Sequence, residues 1–290
     1  MQGIIVLNPF LMPTEIIHQA ERMKSELKAL GVETKIVSNG WVLSSTDGTI
    51  ASKLKGVDFA VFFDKDKYLS NVLDKLGVRV FNRHEAVRIC DDKGETYLAL
   101  TGHGIKIPET VFAPVCYSKT FKIKKEWLLE VSKRLGFPMV VKESYGSMGV
   151  GVNKVNNLEE LIAISEDLKL KPHLYQKYVG FKPGTDVRVI VIGGKAVASM
   201  ERKNEKDFRS NIALGGTGEK IELTKEFKET AESCAKILGL DYCGVDLLYG
   251  ENNLPYVCEV NSNAFFSGIE SVTKINVAGL YAKHIVESLG

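Results

Sequence analysis

The 290-residue chain predicts a mixed fold, α/β at its start and α+β after it. A small N-terminal α/β domain is expected over residues 1–88, then a larger unit of two lobes, 89–172 and 173–290. Three observations predict this. Strand-like and helix-like runs alternate over roughly the first 80 residues, which calls for a parallel sheet with helical crossovers. From His173 the pattern turns strand-rich. The chain is also about twice the length of a ~150-residue domain, so a single core does not account for it.

The elements follow in order. Ile4 to Leu7 is a short apolar run closed by Asn8-Pro9, and reads as a first strand rather than a signal peptide. The turn Asn8-Pro9-Phe10-Leu11 lacks the GxGxxG spacing of a dinucleotide site. After Pro13, Thr14 caps a helix in which Ile17, Ala20, Met23, Leu27 and Leu30 recur at helical spacing, and Gly31 stops it. Glu33–Val37, Phe59–Phe63 and Val78–Phe81 read as strands, with a helix near Tyr68–Leu76. Asp91-Asp92-Lys93 opens a helix to about Thr101, ended by Gly102 and Gly104. The lysine-rich stretch Lys119 to Lys125 leads into a helix over Trp127–Leu135. A strand Met139–Lys142, a glycine-rich loop, a strand Gly151–Val155 and a helix Leu158–Asp167 complete the middle. Strands His173–Tyr178, Val187–Ile192 and Lys195–Arg202 come next, then a helix Lys225–Leu238. Strands Asp241–Tyr249 and Leu254–Asn261 precede terminal helices.

Composition excludes several function classes. Thirty-eight Lys and Arg against 36 Asp and Glu leave a net charge of +2, so neither nucleic acid nor a membrane surface is expected as a general partner. The longest apolar candidate, Val187 to Met200, is broken by Arg188, Gly193, Gly194 and Lys195, well short of the roughly 20 residues of a span. Five cysteines are odd in number and widely spaced, with no CxxC. Reduced thiols in a cytoplasm are therefore expected.

Three constellations carry chemistry. The first is Asp246, Glu259 and Asn261, on two strands flanking the turn Gly250-Glu251-Asn252-Asn253. Opposing Tyr249 to Leu254 puts Asp246 opposite Val257, so Asp246, Glu259 and Asn261 share one face. Val245, Leu247, Cys258 and Val260 then take the other. Oxygen donors without nitrogen or sulfur favour Mg²⁺ over Zn²⁺; a solvated polar face on an edge hairpin is the alternative reading. The second is KESYGSMGVGV, Lys142 to Val152, whose glycines and serines let backbone and hydroxyl donors turn toward phosphate. It is not a P-loop, because no GKS or GKT follows and a strand stands where a helix belongs. The third is a set of cations, Lys93, Lys142, Arg188, Arg202 and Arg209. Arg188 sits mid-strand, where its charge needs an anion to meet it. Together these fit a nucleotide polyphosphate with Mg²⁺.

The order of DDKGETYLAL, FPMVVKESYGSMGVGV, YQKYVGFKPGTDVRVIVIGG, ERKNEKDFRSN, CGVDLL and CEVNSN followed by GIE resembles the ATP-grasp superfamily, and within it the RimK-like amino-acid ligases. The resemblance runs from about Asn82 to the C-terminus. It implies a small Rossmann-like pre-ATP-grasp domain followed by a two-lobed ATP-grasp domain. By the same resemblance Lys93 and Lys142 hold the nucleotide phosphates under a flap containing Ser147 and Gly149. Gln176, Lys177, Tyr178 and Val179 are implied as the hinge that reads adenine, although relatives often carry Glu at the position of Lys177. Asp186 is implied as nucleotide-binding. Arg209, Ser210 and Asn211 are implied to reach the reacting phosphate and the acceptor carboxylate, with Arg188, Arg209 and Asn211 as the catalytic set. Asp246, Glu259 and Asn261 match ligands of Mg²⁺, two ions in relatives, with Mn²⁺ as a substitute. The implied activity is an ATP-dependent carboxylate–amine ligase that forms an amide through an acyl phosphate and releases ADP and phosphate. A phosphotransferase and a non-catalytic ATP-binding module are the alternatives. The implied partners are an amine or amino acid and a carboxylate on a small molecule, peptide or protein tail; assembly as a homo-oligomer stays open. One departure stands out: Ser262-Asn263-Ala264-Phe265-Phe266-Ser267-Gly268 replaces the small residue and Ser-Pro-Gly of many relatives.

Overall fold

The computed structural model describes residues 1–8, 10, 14–41, 45–46 and 53–290. Pro9, Leu11 and Pro13, and with them the turn expected after the first strand, lie outside the described residues. β1 (Gln2–Leu7), β2 (Glu33–Ser38), β3 (Phe59–Phe63) and β4 (Arg79–Phe81) form a parallel sheet in the order β2-β1-β3-β4. The strand–helix alternation requires this, because α1 (Thr14–Ala29) and α2 (Lys67–Lys75) provide crossovers. β3 is buried at all five positions, as a strand covered on both faces must be. Of the apolar stripe on α1, Ala20, Met23 and Leu27 are buried while Ile17 and Leu30 at its ends stay exposed.

α4 (Lys93–Leu100) occupies the stretch where a helix was expected, and a further helix, α3 (His84–Asp91), precedes it. They break at Asp92, which is extended and accepts hydrogen bonds from the Gly94 and Glu95 amides as the cap of α4. The start at Asp91-Asp92-Lys93 is thus correct, and α3 before it escaped notice. The middle of the chain supplies β5 (Thr110–Phe112), α5 (Lys125–Leu135), β6 (Met139–Glu143), β7 (Val152–Val155), α6 (Leu158–Leu168) and β8 (His173–Lys177). Their antiparallel sheet runs β5-β8-β6-β7, so β8 joins it beyond residue 172. Leu128, Met139, Val141, Leu161 and Tyr175 form its separate core.

The last sheet is antiparallel and runs β11-β10-β9-β12-β13. Its strands are β9 (Thr185–Ile192), β10 (Lys195–Lys203), β11 (Thr217–Lys220), β12 (Tyr242–Tyr249) and β13 (Pro255–Asn261). α7 (Lys225–Ile237) packs on one face, and α8 (Ser267–Thr273) and α9 (Val277–Glu287) on the other. This second face shares one core with the first sheet: Ile5, Met23 and Phe81 meet Tyr242, Phe266 and Tyr281. Phe266, one of the two departing aromatics, is fully buried there and its amide donates to Gln19 Oε1.

Asn82 ties the two parts together. Its Nδ2 donates to the carbonyls of Tyr242 (2.7 Å) and Ser262 (2.8 Å), while Oδ1 accepts from the amides of Asp241 (2.7 Å) and Tyr242 (3.0 Å). The side chain is buried, so nothing replaces those bonds once it is gone. Asn82→Ala should therefore cost about 3 kcal/mol, read as a lower urea midpoint; an unchanged midpoint would show that water reaches these groups.

Candidate functional site

A cleft opens between the second and third sheets, the kind of concave place where small molecules bind. All the sequence-predicted site residues line it except Arg188 and Asn261. These two lie on β9 and at the end of β13.

The floor is a buried lattice of charge. Arg188 and Asp246 are directly opposed on β9 and β12 and pair bidentately, Nε–Oδ1 and Nη2–Oδ2 both at 2.7 Å. Arg202 and Asp186 are opposed on β10 and β9 and pair at 2.8 and 2.5 Å. Arg202 Nη2 also reaches Asp246 Oδ2 at 2.9 Å, joining the pairs. The anion that meets Arg188 within its strand is therefore a carboxylate of the chain itself. Burial works against the charge on Asp246, but the two guanidinium groups outweigh it and hold the carboxyl below its ordinary value. The same balance raises Arg202.

The hairpin register differs from the expected one. Leu247 pairs with Val257, and the next pair is Asp246 with Glu259. Cys258 is the extra residue of a β-bulge. The bulge opposes the two carboxylates directly, turns Val257 into the core and brings Cys258 to the cleft, reversing the expected placement of both. Burial pushes the Cys258 thiol up to about 11.

Lys142, at the end of β6, is buried and donates to the Tyr97 hydroxyl at 3.1 Å; that hydroxyl donates to the Cys258 carbonyl at 2.6 Å. Burial disfavours the ammonium, yet Tyr97, Cys258 and Glu259 together hold it above the usual lysine range. Lys93 Nζ lies 3.3 Å from Glu259 Oε1 and donates to the Gly146 carbonyl at 2.9 Å. Arg209 Nη1 donates to the Gly149 carbonyl at 2.9 Å while its other donors hold Asp207. Lys93 and Arg209 thus both bond the flap backbone, whereas Lys142 does not. Gly149 has φ +78, and a Cβ there would sit 3.0 Å from Asn211 Oδ1 and 3.2 Å from Leu214 Cδ1, so the flap meets the Arg209–Asn211 segment as closely as glycine allows.

At the hinge, the Gln176 side chain is buried and bonds Thr110 Oγ1, whereas Lys177 points to solvent at the end of β8. The Tyr178 ring sits under Lys154 Nζ (4.4 Å) and edge-on to Phe208 (6.5 Å). Its buried hydroxyl has no partner among the described residues. Several contributors went unread in the sequence. Tyr97 follows Lys93 by one helical turn on α4, a spacing that could have flagged it. Lys65, after β3, reaches the flap hydroxyl of Ser147 at 3.2 Å and Asp91 at 3.0 Å; no local pattern announces it.

The donor set suits a hard divalent cation. Asp246 and Glu259 are paired across the bulge, and next to them the Asn261 amide buries an Nδ2 with no partner among the described residues. Turned over, that amide would offer a carbonyl oxygen.

Comparisons with known proteins identify the family. The family model described as the RimK-like ATP-grasp domain matches residues 90–287. The chain is 34% identical over 228 residues to human N-acetylaspartylglutamate synthase A, covering 78% of this chain and 57% of that protein; it thus spans little more than half the length of that relative. It is 38% identical over 216 residues to a probable alpha-L-glutamate ligase of Psychromonas ingrahamii, covering 72% and 68%. Its fold matches D-alanine–D-alanine ligase from Bacillus anthracis at a TM-score of 0.76 and 22% identity, over 100% of this chain and 97% of that one.

Two outcomes follow for the charge lattice. Arg202→Met should destabilise the protein by about 3–5 kcal/mol, since Asp186 and Asp246 lose a buried partner; urea unfolding measures it. The lowered Asp246 carboxyl contributes stability above the ordinary carboxylate range, lost as pH falls through its folded value. Asp246→Asn should therefore flatten the acid limb of the stability–pH curve, and an unchanged limb would remove Asp246 from it.

Proposed function

Because the chain belongs to the RimK-like ATP-grasp family, we propose that it is an ATP-dependent ligase joining a carboxylate to an amine. The observation that carries the reading is the convergence, in one cleft, of Lys93, Lys142 and Arg209 with a glycine flap above the opposed carboxylates Asp246 and Glu259. In the first step a carboxylate oxygen of the acceptor attacks the γ-phosphorus of ATP, giving an acyl phosphate and ADP. In the second an amine attacks the acyl carbon, loses a proton and expels phosphate.

The residues divide this work. Lys142, held protonated and buried, presents Nζ to phosphate oxygens without needing to be desolvated during reaction. Lys93 exchanges the Gly146 carbonyl for phosphate, and Arg209 exchanges Gly149 for the transferring group or the acceptor carboxylate. Arg188 and Arg202 keep Asp246 in place rather than touching substrate. A divalent cation held by Asp246, Glu259 and Asn261, two ions by family analogy, would supply charge neutralisation at the phosphates. No enzyme nucleophile is needed, and binding both substrates in one cleft supplies much of the rate.

The acceptor is proposed to lie beyond Arg209, near Ser262 and Asn263, each of which buries an oxygen without a partner. These polar atoms stand in the loop that departs from the family pattern, so the glutamate in the relatives' names is not carried over; an amino acid is proposed as the amine. Five free thiols support action in a reducing cytoplasm.

ADP and phosphate should appear only when ATP, Mg²⁺, carboxylate and amine are combined, with a condensation product in the mass spectrum. A product heavier by one phosphoryl group would identify a phosphotransferase instead. Lys142→Met should lower kcat by about 10²–10³ at an unchanged fold. Gly149→Ala should reduce turnover by about 10² through misplacement of the flap while leaving the urea midpoint near wild type; full activity would refute a closed flap.

A further inference from the structure

The surface beside β5 has a character that the cleft does not use. Residues 113–125 contain Lys119, Lys122, Lys124 and Lys125 and no acidic residue, and all four lysines are exposed. Among the described residues, Lys119, Lys124 and Lys125 form no ion pair with a carboxylate. In a chain whose net charge is only +2, this is a local excess. The same segment exposes Val115 (67%), Tyr117 (89%) and Phe121 (66%). Large apolar side chains grouped on a surface mark a contact site far more often than the same residues scattered singly.

The segment borders a groove of about 600 Å³ whose apolar lining includes Leu98, Phe112, Val115 and Leu170. Lys169 fixes segment and groove together, donating from Nζ to the Phe121 carbonyl at 2.8 Å while pairing with Glu166. One wall of the groove is β5, an edge strand paired only with β8 within its sheet. Such an edge can add a further strand through its backbone, and the groove can take alternate apolar side chains of that strand.

We propose that this face docks an extended acidic polypeptide, its carboxylates on Lys119 to Lys125 and its apolar side chains in the groove. Charge complementarity selects an acidic partner. The apolar groove and free strand edge favour a polypeptide over a nucleic acid, which would follow a broader cationic field. Acidic groups on the far wall do not cancel the excess: Asp92 caps α4, and Glu95 faces Arg88. The inference stands apart from the ligase reading, since binding is read without ATP.

Fluorescence anisotropy on the full chain provides the test, with a labelled peptide alternating glutamate and valine, its lysine–valine counterpart and an oligouridylate. The acidic peptide should bind saturably and weaken with added salt. K119E/K122E/K124E/K125E should weaken it by at least about tenfold, and Val115→Asp should weaken it too, with urea midpoints near wild type. Lys228→Glu, on an exposed helix elsewhere, should change nothing. Equal binding by the charge-reversed variant, no saturable binding, or tighter binding of the oligouridylate would each overturn the proposal.

Discussion

The arrangement rests on the charge lattice of Arg188, Asp246, Arg202 and Asp186 across three neighbouring strands. Two positive and two negative side chains balance within the sheet, so each buried charge meets an opposite one. Each member is held by another, and none can move alone without leaving a buried charge unmatched. This fixes Asp246 opposite Glu259 to within the tolerance of a β-ladder. It also means that a ligand arriving from the cleft meets a floor already organised.

Above the floor the logic reverses. Lys93, Arg209 and Lys65 each divide their donors between a carboxylate and the flap backbone or hydroxyl, and polyphosphate oxygens can replace the flap partners. The roof belongs to a sheet with its own core, while the floor shares a core with the first sheet through Phe81, Tyr242 and Phe266. Rigidity below and exchangeable contacts above follow from where the apolar residues were placed.

Much of this was legible. Apolar runs such as Phe59–Phe63 announced buried strands, and the Asp92 cap announced α4. The residues singled out by their motifs nearly all line one cleft. What escaped depends on non-local geometry. A bulge changes the residue count by one without altering composition, so the hairpin arithmetic put Val257 and Cys258 on the wrong faces. β5 and β11 are three- and four-residue edge strands, too short and too exposed to show a period of two. The partner of Arg188 was not legible because it lies on another strand, 58 residues away. Lys65 reaches Ser147 across 82 residues, and no sequence pattern encodes that meeting.

The shared core has a consequence for the order in which the chain folds. Ile5 and Met23 complete their burial against Tyr281 and Ile285, so the first sheet has one apolar face unfinished until α9 has been synthesised. Contacts of such sequence separation form late and slowly. The middle lobe, with its local core, is free to consolidate meanwhile. A nascent chain would therefore carry a folded centre between two halves of an open one, a state that favours chaperone contact during synthesis.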